Sequence, residues 1–374
     1  MLITRSKKSQ TAVRLCLGTA VLLVAVTLLG LPASAQKATI TNLTSDISSV
    51  GTFTDTNLVN PWGLVSSPSG PWWISDNATG LSTLYDGTGS PQSLVVSIPQ
   101  WDDTPGGNPD GIVFNSTSDF QLSPGNPAIF MFATEDGTIQ GWNHNVQATT
   151  SVIEVNNFPG AVYKGLALAS AGGANYLYAA NFRNNSVDVF DKNFAAHSFG
   201  SNAFVDSTLP AGFAPFNVFN MGGGKLAVTY AKQDAAKHDD VAGPGNGYVD
   251  IYDTMGNLQM RLAHNIFLNS PWAVAIAPAT GFGGFSGDIL VGQFGSGAIV
   301  AYTPNGQSAG LLLNPAVLQL QLENLWGMAF GNGTGSGPTT TLYFTAGTFG
   351  ETHGILGSVT CCSTTALGSS RRKK

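Results

Sequence analysis

Apolar residues run along this chain in short bursts of about four to six, each closed by a cluster of Gly, Pro, Asn, Asp or Ser. Residues 60–89 show the pattern. Gly63-Leu64-Val65, Trp72-Trp73-Ile74-Ser75 and Leu81-Ser82-Thr83-Leu84-Tyr85 are separated by the turn-forming stretches 66–71 and 76–80. Bursts of that length between turn clusters predict consecutive hairpin-linked strands. Ser93-Leu94-Val95-Val96-Ser97-Ile98 supplies a fourth strand. Four antiparallel strands in about fifty residues make one propeller blade.

The unit returns five times. Its first strands read Pro61-Trp62-Gly63-Leu64, Asp110-Gly111-Ile112-Val113, Lys164-Gly165-Leu166-Ala167, Pro215-Phe216-Asn217-Val218, Pro271-Trp272-Ala273-Val274 and Leu325-Trp326-Gly327-Met328. Aligned on Gly63, Gly111, Gly165, Asn217, Ala273 and Gly327, the copies are spaced by 48, 54, 52, 56 and 54 residues. A period near fifty with several strands per copy predicts an all-β, six-bladed β-propeller. Its blades should lie near 61–99, 110–155, 164–206, 215–263, 271–314 and 325–359, within a domain spanning 36–360. The last copy lacks a fourth strand, while Ala38-Thr39-Ile40-Thr41-Asn42-Leu43 is a strand without a blade. Residues 37–45 are therefore expected to pair with the last blade and close the ring, sealing an edge that would otherwise be open to aggregation.

Gly or Ala at the aligned position lets neighbouring first strands approach closely; Asn217 fits no such rule. Trp62, Phe216, Trp272 and Trp326 are expected to pack between adjacent blades, where flat rings fill a wedge. Adjacent strand residues face opposite ways, so one ring of Trp72-Trp73 should point away from the core. That ring and Trp101 are candidates for stacking on a sugar or polymer.

Composition agrees with strands and turns. Only 10% of the 374 residues are charged, and there are 46 glycines and 19 prolines. Residues 1–35 are a different object. Arg5, Lys7, Lys8 and Arg14 precede the apolar run 20–31, and Ala33-Ser34-Ala35 follows. This reads as a secretory signal peptide, so the protein is expected to be exported, periplasmic or extracellular, with no membrane span in its mature form. Loss of those four basic residues would take the net charge from −6 to −10. Four more basic residues, Arg371, Arg372, Lys373 and Lys374, end the segment 361–374, expected to be a flexible tail. A body this acidic argues against nucleic acid as a partner. A monomer that meets a small molecule, a polysaccharide or a protein is the expectation. Cys361 and Cys362 offer no disulfide framework, and no CxxC or HExxH spacing occurs.

Candidate chemistry sits on the loops that enter first strands and leave second strands, because loops from every blade converge there. These loops carry Asn60, Asp76, Asn77, Asp110, Glu135, Asp136, Lys164, Asn181, Arg183 and Tyr230. Asp110, Glu135 and Asp136 with Asn60, Asn77 and Asn181 form an oxygen-rich set suited to a divalent cation such as calcium; the same residue types also close Asx turns. One connection, 231–246, is far longer than its counterparts and concentrates charge, including His238, Asp239 and Asp240. Long loops in compact repeat folds are functional or disordered. No GxSxG elbow or other nucleophile motif is present.

The strings NLVNPWGL, FATEDGTIQGW, YKGLALAS, TYAKQDAAKHDDVAGPGNGYVDIYDTMGNL and LWGMAFGNG resemble an exported bacterial family of uncharacterised six-bladed propellers, similar in turn to NHL-type and gluconolactonase-like propellers. The resemblance implies the fold across nearly all of 39–359 and supplies no activity. Gluconolactonase-like propellers hold a divalent ion with a Glu, two Asn and an Asp; here the first blade opens with Asn60 in place of Glu. The resulting expectation is a binding scaffold that uses the loop face and 231–246. The alternative is a metal-dependent hydrolase of a sugar lactone or ester, with Asp110, Asn181 and His238-Asp239-Asp240 as ligands.

Overall fold

A computed structural model describes residues 37–316 and 318–361; the expected signal peptide and the tail beyond Cys361 lie outside the described residues. Six sheets are arranged as the blades of a ring, antiparallel except where the short strand Phe53–Thr54 runs parallel to Ala38–Ser45 at the edge of the last. Blade one comprises Pro61–Ser66, Trp72–Asp76, Leu81–Tyr85 and Pro91–Ser97. Blade two comprises Pro109–Phe114, Phe130–Thr134, Thr138–Trp142 and Val152–Asn156, and blade three Tyr163–Ala171, Ala174–Asn181, Ser186–Phe190 and Ala196–His197. Blade four runs through Phe213–Gly222, Lys225–Lys232, Gly247–Asp253 and Leu258–Arg261, and blade five through Pro271–Ile276, Ile289–Gln293, Ile299–Tyr302 and Ser308–Leu311.

Blade six takes three strands from the end of the described chain, Leu325–Phe330, Thr341–Ala346 and Ile355–Cys361. Its fourth is Ala38–Ser45, antiparallel to the third from Ala38↔Cys361 to Ser45↔Ile355. The two ends of the propeller are thus hydrogen-bonded to each other, as the orphan strand predicted. Cys361 is disulfide-bonded.

The glycines do what the alignment asked of them. A Cβ on Gly63 would lie 2.4 Å from the Asp110 carbonyl oxygen, and one on Gly111 2.5 Å from the Leu166 nitrogen. Asn217 also finds its reason. Its Nδ2 donates to the Trp272 carbonyl at 2.8 Å, tying blade four to blade five where a small residue would only pack. One expectation fails: Trp72 and Trp73 are both buried, 1% and 5% exposed. A blade is sandwiched between two others, so both faces of its sheet are covered. Trp73 stacks on Phe130 of blade two, and Trp72 packs on Tyr343 of blade six.

Candidate functional site at the channel mouth

In all six blades the first strand slips register against the second near its beginning, between Pro61 and Leu64, Pro109 and Ile112, Tyr163 and Leu166, Pro215 and Asn217, Pro271 and Ala273, and Leu325 and Met328. The bulges contain Trp62, Asp110, Lys164, Phe216, Trp272 and Trp326, the six residues that precede the aligned position. A bulge re-aims its side chain and ends regular pairing. Four of the six are aromatic and meet one another. The Trp62 and Trp326 rings stack with centres 3.4 Å apart, and Trp62 also contacts Trp272 at 5.9 Å and Phe216 at 6.4 Å. These rings were expected between adjacent blades. Trp62 of blade one instead touches residues of blades four and five as well as six, so the rings form one cluster across the ring. Further along the first strands lies a cavity of about 260 Å³ whose lining includes Leu64, Val65, Val218, Val274 and Met328.

Blades two and three place Asp110 and Lys164 where the others place an aromatic ring, and both are buried. The Lys164 ammonium lies 4.8 Å from the centre of the Trp62 ring. It forms an ion pair with Glu135 Oε1 and sits 3.8 Å from Asp239 Oδ1. Asn77 ties the carboxylates together, its Nδ2 donating to Asp110 Oδ1 at 2.8 Å and to Glu135 Oε2 at 3.1 Å. Asn60 donates to Asn77 Oδ1 at 3.3 Å and accepts from Trp326 Nε1 at 3.0 Å. Polar groups and aromatic cluster are therefore one continuous network. Asp110 Oδ2, fully buried, has no hydrogen-bond partner.

The long loop of blade four supplies the outer wall. The second strand continues to Lys232, which leaves 233–246 as the connection. Asp234 Oδ1 accepts from the His238 backbone at 2.9 Å, and Gln233 Nε2 donates to the Phe182 carbonyl at 2.6 Å. Gly243 donates to Asn269 Oδ1 at 2.6 Å. Pinned to blades three and five, the loop brings Asp239 beside Lys164, with His238 Nδ1 2.9 Å from Asp239 Oδ1. Glu135, His238 and Asp239 each offer a donor atom, all within 4.8 Å of one another.

Charge is strongly perturbed here. Burial, and then the Glu135 carboxylate, push the Asp110 carboxyl well above the usual carboxylate range. Burial works against the Lys164 ammonium, but Glu135 and Asp110 outweigh it and hold its pKa above the ordinary lysine value. Lys164 is therefore a fixed cation, not an amine poised as a nucleophile. The hydrogen bond that His238 donates to Asp239 raises His238, and the same contact lowers Asp239. Burial raises Asp240, which lies within the field of Lys164.

Glu351, in the loop that leaves the second strand of blade six, belongs to this cluster and was missed from sequence. Burial pushes it up to about 7, opposed by the Asn60 amide and joined by the charges of Glu135 and Asp240. Its loop position matches that of Glu135, the signal that would have found it. Several expected residues go elsewhere. Asp76 Oδ2 accepts from Thr83 Oγ1 at 2.7 Å inside blade one, and Asp136 Oδ2 accepts from the Trp101 backbone at 2.7 Å. Asn181 bonds to Asp188 at 2.8 Å and caps its own turn through Asn184. Arg183 donates to the Pro159 carbonyl at 2.9 Å, and Tyr230 shares a buried hydroxyl pair with Tyr252 at 2.8 Å.

A six-bladed propeller with a charged, buried mouth is the class these features define. No family model matches the chain. Over 320 residues it is 32% identical to uncharacterized protein L690 of Acanthamoeba polyphaga mimivirus, covering 82% of this chain and 81% of that protein. Uncharacterized protein R648 of the same virus is 30% identical over 332 residues, covering 85% and 78%. The chain belongs to the family that these uncharacterised proteins form. They are viral, and lend no support to the bacterial, exported origin that the resemblance implied. Among solved structures, a glucose dehydrogenase superposes with a TM-score of 0.53 at 14% identity, covering 86% of this chain and 99% of that one. The soluble aldose sugar dehydrogenase of Escherichia coli gives 0.52 at 12%, covering 87% and 99%. At such identities the likeness shows the fold alone.

Proposed function

We propose that the protein is a non-catalytic binding scaffold that takes its ligand at the channel mouth, through the loop face and the 233–246 loop. The observation that carries this reading is the exchange of two aromatic bulge residues for Asp110 and Lys164. Burying charge there costs stability unless it is paired, and the chain covers that cost with Glu135, Asn77 and Asp239. Such an arrangement builds a fixed, oriented electrostatic surface. Lys164, held protonated, offers no amine nucleophile within it.

The second reading is metal-dependent hydrolysis of a lactone or ester, favoured by the donor atoms of Glu135, His238 and Asp239. A divalent ion on Asp239 would face the Lys164 ammonium at close range, a repulsion of about 8 kcal/mol at 4 Å and an effective dielectric near 20. That ammonium already holds the carboxylates an ion would need.

Hydrolysis of glucono-lactone and p-nitrophenyl acetate by the purified chain, with calcium, zinc or manganese added, separates the two. The scaffold reading expects no metal-dependent rate above background. A rate about tenfold above background that is lost with a chelator and in Glu135→Gln overturns it.

A further inference from the structure

The turn that carries Glu351 is built against the preference of its own residues. In blades one, two, three and five the loop leaving the second strand turns back through a single left-handed residue: Gly80 (φ 67°), Gly137 (φ 83°), Asn185 (φ 53°) and Gly297 (φ 65°). Glycine and asparagine adopt that conformation at least cost. Blade six instead places three in succession, Phe349 (φ 53°, ψ 46°), Gly350 (φ 64°, ψ 44°) and Glu351 (φ 69°). Phe349 and Glu351 are both strained there. Phe349 is 64% exposed, so its packing offsets little of that strain. The turn persists because its ends are clamped. Gly347 donates to the Asn324 carbonyl at 3.0 Å, while Asp46 meets the Gly354 N–H at 2.8 Å and His353 Nδ1 at 2.6 Å. Between the clamps, Glu351 donates to the Gly347 carbonyl at 3.1 Å, His353 to the Thr348 carbonyl at 3.2 Å, and Phe349 to Glu323 Oε1 at 3.0 Å.

What the turn achieves is the placing of Glu351. Its carboxyl meets the Asn60 amide of blade one and stands in the field of Glu135, Lys164 and Asp240 from blades two, three and four. We propose that residues 347–353 are a strained latch on the channel mouth: Glu351, seated in the cluster, holds the turn closed, and the left-handed backbone opens it when that seat is lost. The seat depends on charge. Burial disfavours an ionised Glu351, as do Glu135 and Asp240, and its charge in turn weighs on Asp110; Asn60 and Lys164 favour the ion. Burial and the acids prevail, and the group is pushed up to about 7. Below that pH the carboxyl is neutral and seated. Above it the carboxylate is drawn towards water, and release of backbone strain acts in the same direction. Glu323 and Asp46 also face the segment, where they hold Phe349, His353 and Gly354. Opening withdraws Glu351 from the cluster, so a ligand meets different charges above and below neutral pH. The inference rests on the mouth being the ligand site and adds a regulation of it.

Amide hydrogen exchange on the full chain tests this, read as protection after correction for the intrinsic rate at each pH. Protection at Phe349, Glu351 and His353 is expected to fall about tenfold between about pH 5.5 and pH 8. The Gly297 amide, bonded to the Gln293 carbonyl in the corresponding loop of blade five, should show no such fall. Glu351→Gln, neutral at every pH, should keep protection high throughout. Phe349→Asn suits the left-handed turn better and should raise protection about threefold at pH 8. The inference is overturned if the three amides show no fall with pH, if Glu351→Gln falls as the native chain does, or if Phe349→Asn fails to raise protection. A flat profile leaves the scaffold reading standing. Metal-dependent turnover would remove that reading and leave the latch.

Discussion

Lys164 occupies in blade three the bulge position that Trp62 occupies in blade one, and its ammonium lies 4.8 Å from the centre of that ring. The two residues are structural equivalents in contact, one holding the charge and the other a face that attracts it. Lys164→Met should therefore cost more than packing alone. It leaves Glu135 and Asp110 buried without their cation, a loss of about 3–5 kcal/mol, visible as a lowered melting temperature. If the ammonium stands where a metal would otherwise bind, millimolar calcium should recover part of that loss in Lys164→Met and shift the native chain little. Equal calcium stabilisation of both proteins would contradict this.

The closeness of the first strands is testable at Gly165. A Cβ there would lie 1.8 Å from Asn217 Oδ1 and 2.5 Å from the Asn217 Cα, so rotating the Asn217 side chain cannot relieve it. Gly165→Ala should destabilise by about 3 kcal/mol as an overpacked core substitution. Gly160→Ala, whose Cβ would meet its nearest neighbour at 3.3 Å, is the comparison and should differ little from native. Denaturant unfolding of both variants measures the difference. Equal midpoints would mean that the inner strands move apart easily.

The same alignment shows how far the sequence could be read. Fold, blade count and ring closure were legible because hydrophobic period and turn spacing repeat six times. The identity of the mouth was half legible. Asp110 and Lys164 were picked out, but as loop residues in the class of Asn60, whereas they stand in register with Trp62 and Trp326. Of their partners, Glu135 and Asp239 were among the expected residues, but Glu351 was not, since it comes from a blade far along the chain and no local pattern links it to them. Asp76, Asn181 and Arg183 carried the right chemistry in the right loops. Each is occupied by a neighbour on its own or an adjoining segment, Thr83, Asp188 and the Pro159 carbonyl.

Closure through Ala38–Ser45 makes the ring's stability depend on residues 37–45. Deleting 37–45 removes the antiparallel partner of Ile355–Cys361 and exposes that strand's free edge. The melting temperature should fall by about 10 °C. A synthetic peptide of residues 37–45, added in excess, should restore part of it by refilling the gap. An unchanged melting curve after deletion would show that the other five blades hold the ring without this strand.

Glu351 gives the mouth a pH dependence whose sign is fixed by its environment. Its ordinary value is 4.5, and burial pushes it up to about 7 in the folded chain. Below about pH 4.5 the group is protonated whether folded or unfolded, and its favourable neutral state is fully present. Between pH 4.5 and about 7 the unfolded chain loses that proton before the folded one does, so stability falls as pH rises through this window. With a discount for its partial exposure, the loss is about 2 kcal/mol. Glu351→Gln holds the neutral form at every pH. The variant should match native stability at pH 4.5 and exceed it at pH 8 in urea unfolding; parallel pH profiles would show that Glu351 ionises freely.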